Sequence, residues 1–534
     1  MMPWWAMALL IFGFNFAIWG SMGLLRLTAT GAGQMRRWRT GRRRPGRRAA
    51  GRGAEQAAAP ARRRGAQVPA RRGSLTVNDV AVLIPAHNEE KVIGESLRAI
   101  MEHIPPWNVH VVSDASTDNT VAVARANGAK VMATELNLGK AGALQEAIYK
   151  FRLIDRFPVV MLLDADTRVA PGYFKAALPL FDDPDMVAVA GAVRTATDRA
   201  LSFTGQVLVG HRRRIYAIGQ RVLKFGQTWR RTNATHIVPG FASLYRTDVL
   251  PEIDMNPPGL VIEDFNMTFE VYQKKLGKVG FTLGAVAVTQ DPDNFRDYVR
   301  QTRRWALGLW QTVRRHKLRR NFFSVMLAAL LTELVASSLL FLLVPVLLVV
   351  LALPAVVTGA AAWPVLGPVY LLVSAHMTLS TVFYGVILPD LAMTVIAAVV
   401  DRQPVMLLFS AFFPFLRMVD AAIGLAAIPR MFRTKSTGRW KSPARQEAAQ
   451  PLPPLAPLPP SMAATEPIPV IKLTEEERTA LGMAPERPAA RPTPLPASLP
   501  QQVRPAPAPL AAAGAEPPEP VSPLFAGDGP HASG

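Results

Sequence analysis

Apolar residues are concentrated in a few long blocks, and between the first and the second of these the pattern changes character. From Trp4 to Leu25 the chain is apolar with a mid-segment Asn15, enough to cross a bilayer core of about 30 Å. Comparable blocks return at 322–353, 365–388 and 404–429, each followed or interrupted by proline, while 390–400 is too short to span alone and suits an interfacial or re-entrant segment. Between these blocks lie short, largely β-branched runs: 80–84, 109–112, 130–132 and 159–163. They alternate with helical periodicity over roughly 88–103, 117–127 and 140–152. Strands alternating with helices of this length predict an α/β domain on a parallel sheet, whose ligands bind beyond the carboxyl ends of the strands. The expected organisation is an anchor at 1–27, a linker at 28–77, the α/β domain at 78–320, membrane or interfacial helices at 321–432 and a tail at 433–534.

Charge adds direction to this pattern. The 534 residues carry 60 Lys and Arg against 39 Asp and Glu, a formal net charge of +21, and no cysteine. Without cysteine there is no disulfide framework, thiolate zinc site or thiol nucleophile. The excess of positive charge suits a polyanionic partner. Residues 26–72 hold fifteen arginines and one acid, Glu55. Coming after the first apolar block rather than before it, this charge reverses the order of a signal peptide and predicts an uncleaved anchor with the arginine-rich segment in the cytoplasm. With few aromatics, that segment suits anionic lipid headgroups better than nucleic acid, and its composition predicts disorder. Three C-terminal crossings would place Arg430, Arg433, Lys435, Arg439 and Lys441 outside, so an even number of crossings, or one interfacial segment, is expected. Residues 451–534 include 22 prolines, which predicts a disordered tail; an unread spacer is favoured over an extended segment for an envelope accessory protein.

The candidate chemistry lies where the strands end. Asp114 closes the second run, and Asp164-Ala165-Asp166 closes the fourth. Two carboxylates so spaced can meet one divalent cation, Mg²⁺ or Mn²⁺, that completes its shell with phosphate and water; singly, each is equally a helix cap or turn former. Glu263-Asp264 follows, and then Gln301-Thr302-Arg303-Arg304-Trp305, which alone could be a basic amphipathic helix on a membrane. The eight histidines show no metal-binding spacing. Within the apolar blocks, Glu333, His376, Arg417 and Asp420 either face a cavity, pair with one another or reach the interface.

In this order, and directly before a membrane block, Asp114, Asp164-x-Asp166, Glu263-Asp264 and Gln301-x-x-Arg304-Trp305 resemble the motifs of processive family-two glycosyltransferases, the synthases of cellulose, hyaluronan, chitin and poly-N-acetylglucosamine. Asn137-Leu138-Gly139-Lys140-Ala141-Gly142 and Pro239-Gly240-Phe241-Ala242 are similar to that family too. The resemblance implies a cytoplasmic GT-A domain inserted between transmembrane helices of the plasma membrane. It implies that Asp114, Lys140, Asp164, Gln301 and Arg304 bind a UDP-sugar and that Asp166 holds the metal. Asp264, with Glu263, would be the catalytic base, and Trp305 with Phe241 would receive the acceptor. The expected reaction is inverting transfer from UDP-N-acetylglucosamine, or else UDP-glucose, to a growing β-linked polysaccharide coupled to export. A single-transfer glycolipid synthase would use the same motifs, and a catalytically idle membrane scaffold is the reading from another class.

Overall fold

The computed structural model describes residues 1–41, 74–196 and 200–434. Residues 42–73 of the arginine-rich linker and the tail from 435, both expected to be disordered, lie outside the described residues. Up to Gly41 the linker instead continues a helix.

The first apolar block is not one straight anchor. It forms α1 (Trp4–Phe12) and α2 (Phe14–Gly41), bent by 82° at Gly13. Gly13 adopts φ +90°, and a Cβ there would lie 1.7 Å from Glu333 Oε1. That carboxylate accepts from the Asn15 backbone N–H (2.8 Å) and from Asn15 Nδ2 (2.7 Å), while Trp19 Nε1 donates to Asn15 Oδ1. A helix end inside an apolar phase leaves N–H groups without partners, and Glu333 supplies one. On the other side of the break, Arg417 Nη2 donates to the Ile11 carbonyl at 2.7 Å.

The α/β domain runs β1 (Val80–Ala86), α3 (Ile93–Met101), β2 (Val109–Asp114), α4 (Thr120–Ala126), β3 (Lys130–Thr134), α5 (Gly139–Lys150), α6 (Leu153–Arg156) and β4 (Val159–Leu163). These strands are parallel in the order β3-β2-β1-β4. Alternate residues of β1 enter different cores: Val80, Val82 and Ile84 on one face, Ala81 and Leu83 on the other. Burial on both faces is why β1, β2 and β4 read as unbroken apolar runs, while β3, at the sheet edge, is only half-buried.

The chain continues through β5 (Arg168–Val169), α7 (Tyr173–Ala177), β6 (Met186–Thr195), α8 (Phe203–Ile218), a π-helical turn at 219–224, α9 (Phe225–Gln227), β7 (Ala242–Arg246), α10 (Glu263–Gln273), β8 (Lys278–Thr289) and α11 (Phe295–His316). The full sheet has the order β3-β2-β1-β4-β7-β6-β8-β5. β7 is antiparallel to β4 and to β6, and β5 to β8, so the sheet is mixed rather than wholly parallel.

Beyond it lie α12 (Phe322–Val356), α13 (Leu366–His376), α14 (Leu379–Val382), α15 (Leu388–Val400) and α16 (Phe413–Arg433). The apolar block 365–388 is cut at Met377, where Thr378 caps a new helix, and 390–400 joins that new helix to make one long span from Leu379 to Val400. Among the described residues three helices are long and apolar enough to cross a membrane, or four if α1 and α2 count as one, which makes this a multi-pass membrane protein. An apolar cluster of Trp19, Phe269, Trp310, Phe323, Leu327 and Ala427 fastens α2, α12 and α16 to α10 and α11 of the α/β domain.

Candidate active site

Sheet topology delivers the acids to one edge. Asp114 ends β2, Asp164 and Asp166 follow β4, and Glu263 and Asp264 open α10. Lys140, in the first turn of α5, ties them together: its Nζ lies 2.8 Å from Asp164 Oδ1 and 3.1 Å from Glu263 Oε1. Burial opposes its charge, but Asp164, Glu263 and Asp264 outweigh burial and hold the ammonium well above its ordinary range. Lys140 is thus the internal counter-ion of these three carboxylates.

Asp264 is fixed from behind. Its Oδ2 accepts from the Gly240 N–H at 2.8 Å, and the same loop is pinned by Val238 N–H to Thr268 Oγ1. A Cβ on Gly240 would stand 2.4 Å from Asp264 Oδ1, so only glycine permits this approach. Burial first, and the neighbouring Glu263 second, push the Asp264 carboxyl up to about 7, against the pull of Lys140 and the Gly240 N–H. A base poised near neutral pH is what proton abstraction requires. Glu263 moves the opposite way, because Lys140 and Arg304 overcome its burial.

The remaining expected residues divide. Asp166 is buried beside Asp164, whose proton affinity it helps raise. Arg304 is exposed, with its charge felt at Glu263, and the Gln301 Oε1 beside it is buried without a hydrogen-bond donor. Asp114 is fully buried and accepts from Thr134 Oγ1 (3.0 Å), Leu138 N–H (2.7 Å) and Gly139 N–H (2.9 Å), so its carboxylate shapes the loop that starts α5. Phe241 packs its ring on the sheet core, and its carbonyl accepts from the Asp164 N–H. Trp305 is half-buried, with one face covered by the Arg212 guanidinium at 4.6 Å. His87, which lacked metal-site spacing, bonds the Asp114 carbonyl through Nδ1 at 2.6 Å.

Sequence patterns did not flag Lys224 or Arg212. Lys224 ends the π-helical turn, and burial draws its ammonium down to about 7 within reach of the Asp264 charge. Their partners are distant in sequence: Thr302 for Arg212 and the Phe281 ring for Lys224.

Among the described residues no three acidic or histidine side chains form a preassembled metal cage. The Asp164–Asp166 pair nevertheless fits a hard cation that arrives with a diphosphate, since such an ion needs only one or two protein carboxylates.

The membrane acids and bases expected either in a cavity or in pairs are largely partnered. Glu333 serves Asn15, Arg417 serves Ile11 and lies 3.7 Å from Asp390, and Asp420 accepts from Tyr298 OH (2.7 Å) and bonds His211 (3.1 Å). Arg417 and Asp420 do not bond each other but turn to these separate partners.

The family described as "Glycosyltransferase like family 2" matches residues 78–308. The uncharacterized glycosyltransferase YaiP of Escherichia coli is 29% identical over 248 residues, 45% of this chain and 58% of that protein. The probable glycosyltransferase YdaM of Bacillus subtilis is 26% identical over 242 residues, 43% of this chain and 54% of that protein. The chain therefore spans little more than half the length of these curated relatives. Among solved structures, the mannosyltransferase PcManGT from Pyrobaculum calidifontis, in complex with GDP-Man and Mn²⁺, superposes with a TM-score of 0.41 at 19% identity, covering 76% of this chain and 99% of that one. Residues 78–308 are thus similar in sequence to family-2 glycosyltransferases, and they form a mixed-sheet GT-A core joined to helices long and apolar enough to span a membrane.

Proposed function

We propose that the protein moves a single sugar, with inversion, from a nucleoside-diphosphate sugar to a membrane-borne hydroxyl acceptor on the cytoplasmic side. The carrying observation is Asp264: held by the Gly240 N–H, raised to about 7 and flanked by Lys140 and Glu263. It takes the proton of the acceptor hydroxyl as that oxygen attacks the anomeric carbon opposite the leaving diphosphate. Direct displacement by the acceptor turns an α-linked donor into a β-glycoside. Asp166 and Asp164 would hold a Mg²⁺ or Mn²⁺ ion, which when bound neutralises charge on the leaving diphosphate. Lys140 and Arg304 add positive charge on the same side, the latter with a guanidinium suited to phosphate oxygens. Trp305 offers its uncovered face to the acceptor.

The partnering of Glu333, Arg417 and Asp420 supports one transfer over export of a polymer, because these groups serve helix ends and side chains instead of lining a path. Polymer extension is the second reading, favoured by Gln301-x-x-Arg304-Trp305 standing directly before the membrane helices. UDP-N-acetylglucosamine, then UDP-glucose, are the donors to try first.

The test is nucleotide release and product analysis by the nanodisc-held protein with Mg²⁺ or Mn²⁺, across a panel of nucleotide sugars, with Asp264→Asn as the blank. Release with one donor and a singly glycosylated lipid is expected. A ladder of oligomers would establish the polymer reading instead. No release from any donor, with native membranes supplied, would turn attention to a scaffold.

A further inference from the structure

Arg212 lies on α8, is only 4% exposed, and takes no part in the acid cluster. Its Nη2 donates to Thr302 Oγ1 at 2.6 Å, on the helix that carries Arg304 and Trp305. Its guanidinium carbon stands 4.4 Å from the Tyr298 ring centre and 4.6 Å from that of Trp305. Its Nε–H is buried without a hydrogen-bond acceptor, so the two aromatic rings are what that part of the cation meets. Tyr298 is braced in turn: its hydroxyl donates to Asp420 Oδ1 at 2.7 Å, and Asp420 Oδ2 bonds His211 Nε2 at 3.1 Å. Asp420 belongs to the membrane helix α16, so the stack is anchored in the bilayer as well as in the catalytic domain.

We infer that Arg212 is the positioning residue of the acceptor platform: stacked on Trp305, it fixes the plane on which the acceptor rests. The inference depends on the transfer reading above for what Trp305 receives. A half-buried indole on a helix has more than one rotamer; a cation on one face, itself tied to Thr302, leaves one orientation and one face free. Only a planar guanidinium can stack and donate to Thr302 together, so lysine keeps the charge and loses the geometry.

A purely structural role predicts something else. Arg212 lies near Asp291 and Asp420, and as a simple counter-ion it would be replaced by lysine without kinetic effect.

The experiment uses the full chain in nanodiscs, with octyl glucoside below its micellar concentration as acceptor probe. Arg212→Lys is expected to raise the acceptor KM about tenfold, the scale of a desolvated cation–π contact. The donor KM should stay within about twofold, and in a Trp305→Ala background Arg212→Lys should add almost nothing, as expected for residues acting as a unit. Thr302→Ala, which leaves the core intact, should raise the acceptor KM about fivefold, near the worth of one hydrogen bond. Equal changes in both KM values, full rescue by lysine, or effects that multiply with Trp305→Ala would overturn the inference. Wild-type protein that transfers nothing would instead overturn the transfer reading. Hydroxyl-radical labelling of Trp305, read by mass spectrometry, tests the stack without turnover: labelling must rise in Arg212→Lys, and an unchanged level refutes it.

Discussion

Asp264 lies between Glu263, which raises its proton affinity, and Lys140, which lowers it. On the proposed transfer reading its working form is the carboxylate, so activity should fall about tenfold per pH unit on the acid side of roughly 7. Lys140→Met removes the lowering charge and should move that acid limb to higher pH, as a kcat/KM profile would show. Asp264→Asn keeps the shape and removes the base, and turnover should drop by about a hundred- to ten-thousand-fold with donor binding retained. Gly240→Ala presses a methyl group into Asp264 Oδ1; a loss of about 1–3 kcal/mol from overpacking and a lower kcat are expected, read by thermal unfolding and initial rates. The acids and Lys140 were legible in the sequence because each sits at a strand end or in a helix's first turn. Their wiring was not, since Lys140 meets Asp164 and Glu263 only when β4 and α10 are brought to one edge.

Among the elements, β1, β2 and β4 announced themselves through runs buried on both faces and β3 through a short apolar run at the sheet edge, whereas β6 has alanine or glycine at four of its ten positions and β5 has two residues, so neither carries a strong strand signal. α8 carried no signal of its role: in His211-Arg212-Arg213-Arg214, Arg212 and Arg214 are buried because Thr302, Asp390 and Thr394 arrive from far along the chain. The bend between α1 and α2 was hidden because Gly13 is an ordinary residue in an apolar helix; its partner, Glu333, lies on α12. Glu333→Ala leaves the Asn15 N–H without its acceptor, at a cost of about 1–3 kcal/mol. A lowered midpoint of thermal unfolding in detergent is the expected result.

At the scale of the whole molecule, the catalytic domain and the membrane helices share an apolar core instead of hanging from a tether. Trp310 Nε1 donates to the Gly424 carbonyl, and Phe269 meets Phe323 edge to face at 5.1 Å between ring centres. A fragment ending near residue 320 should therefore expose this surface and aggregate on size exclusion, while the full chain stays monodisperse. α2 adds a second tie. Arg26 donates to the carbonyls of Phe225 and Phe281 and to Thr228 Oγ1, with its guanidinium over the Phe225 ring. The same helix is fastened at Asn15 by Glu333. The stretch from Asn15 to Arg26 rises roughly 16 Å at the helical rise per residue. α2 is thus a ruler with a nail at each end: it sets how far the α/β domain stands from the bilayer interior and, on the proposed transfer reading, how tall a lipid-borne acceptor must be to present its hydroxyl to Asp264.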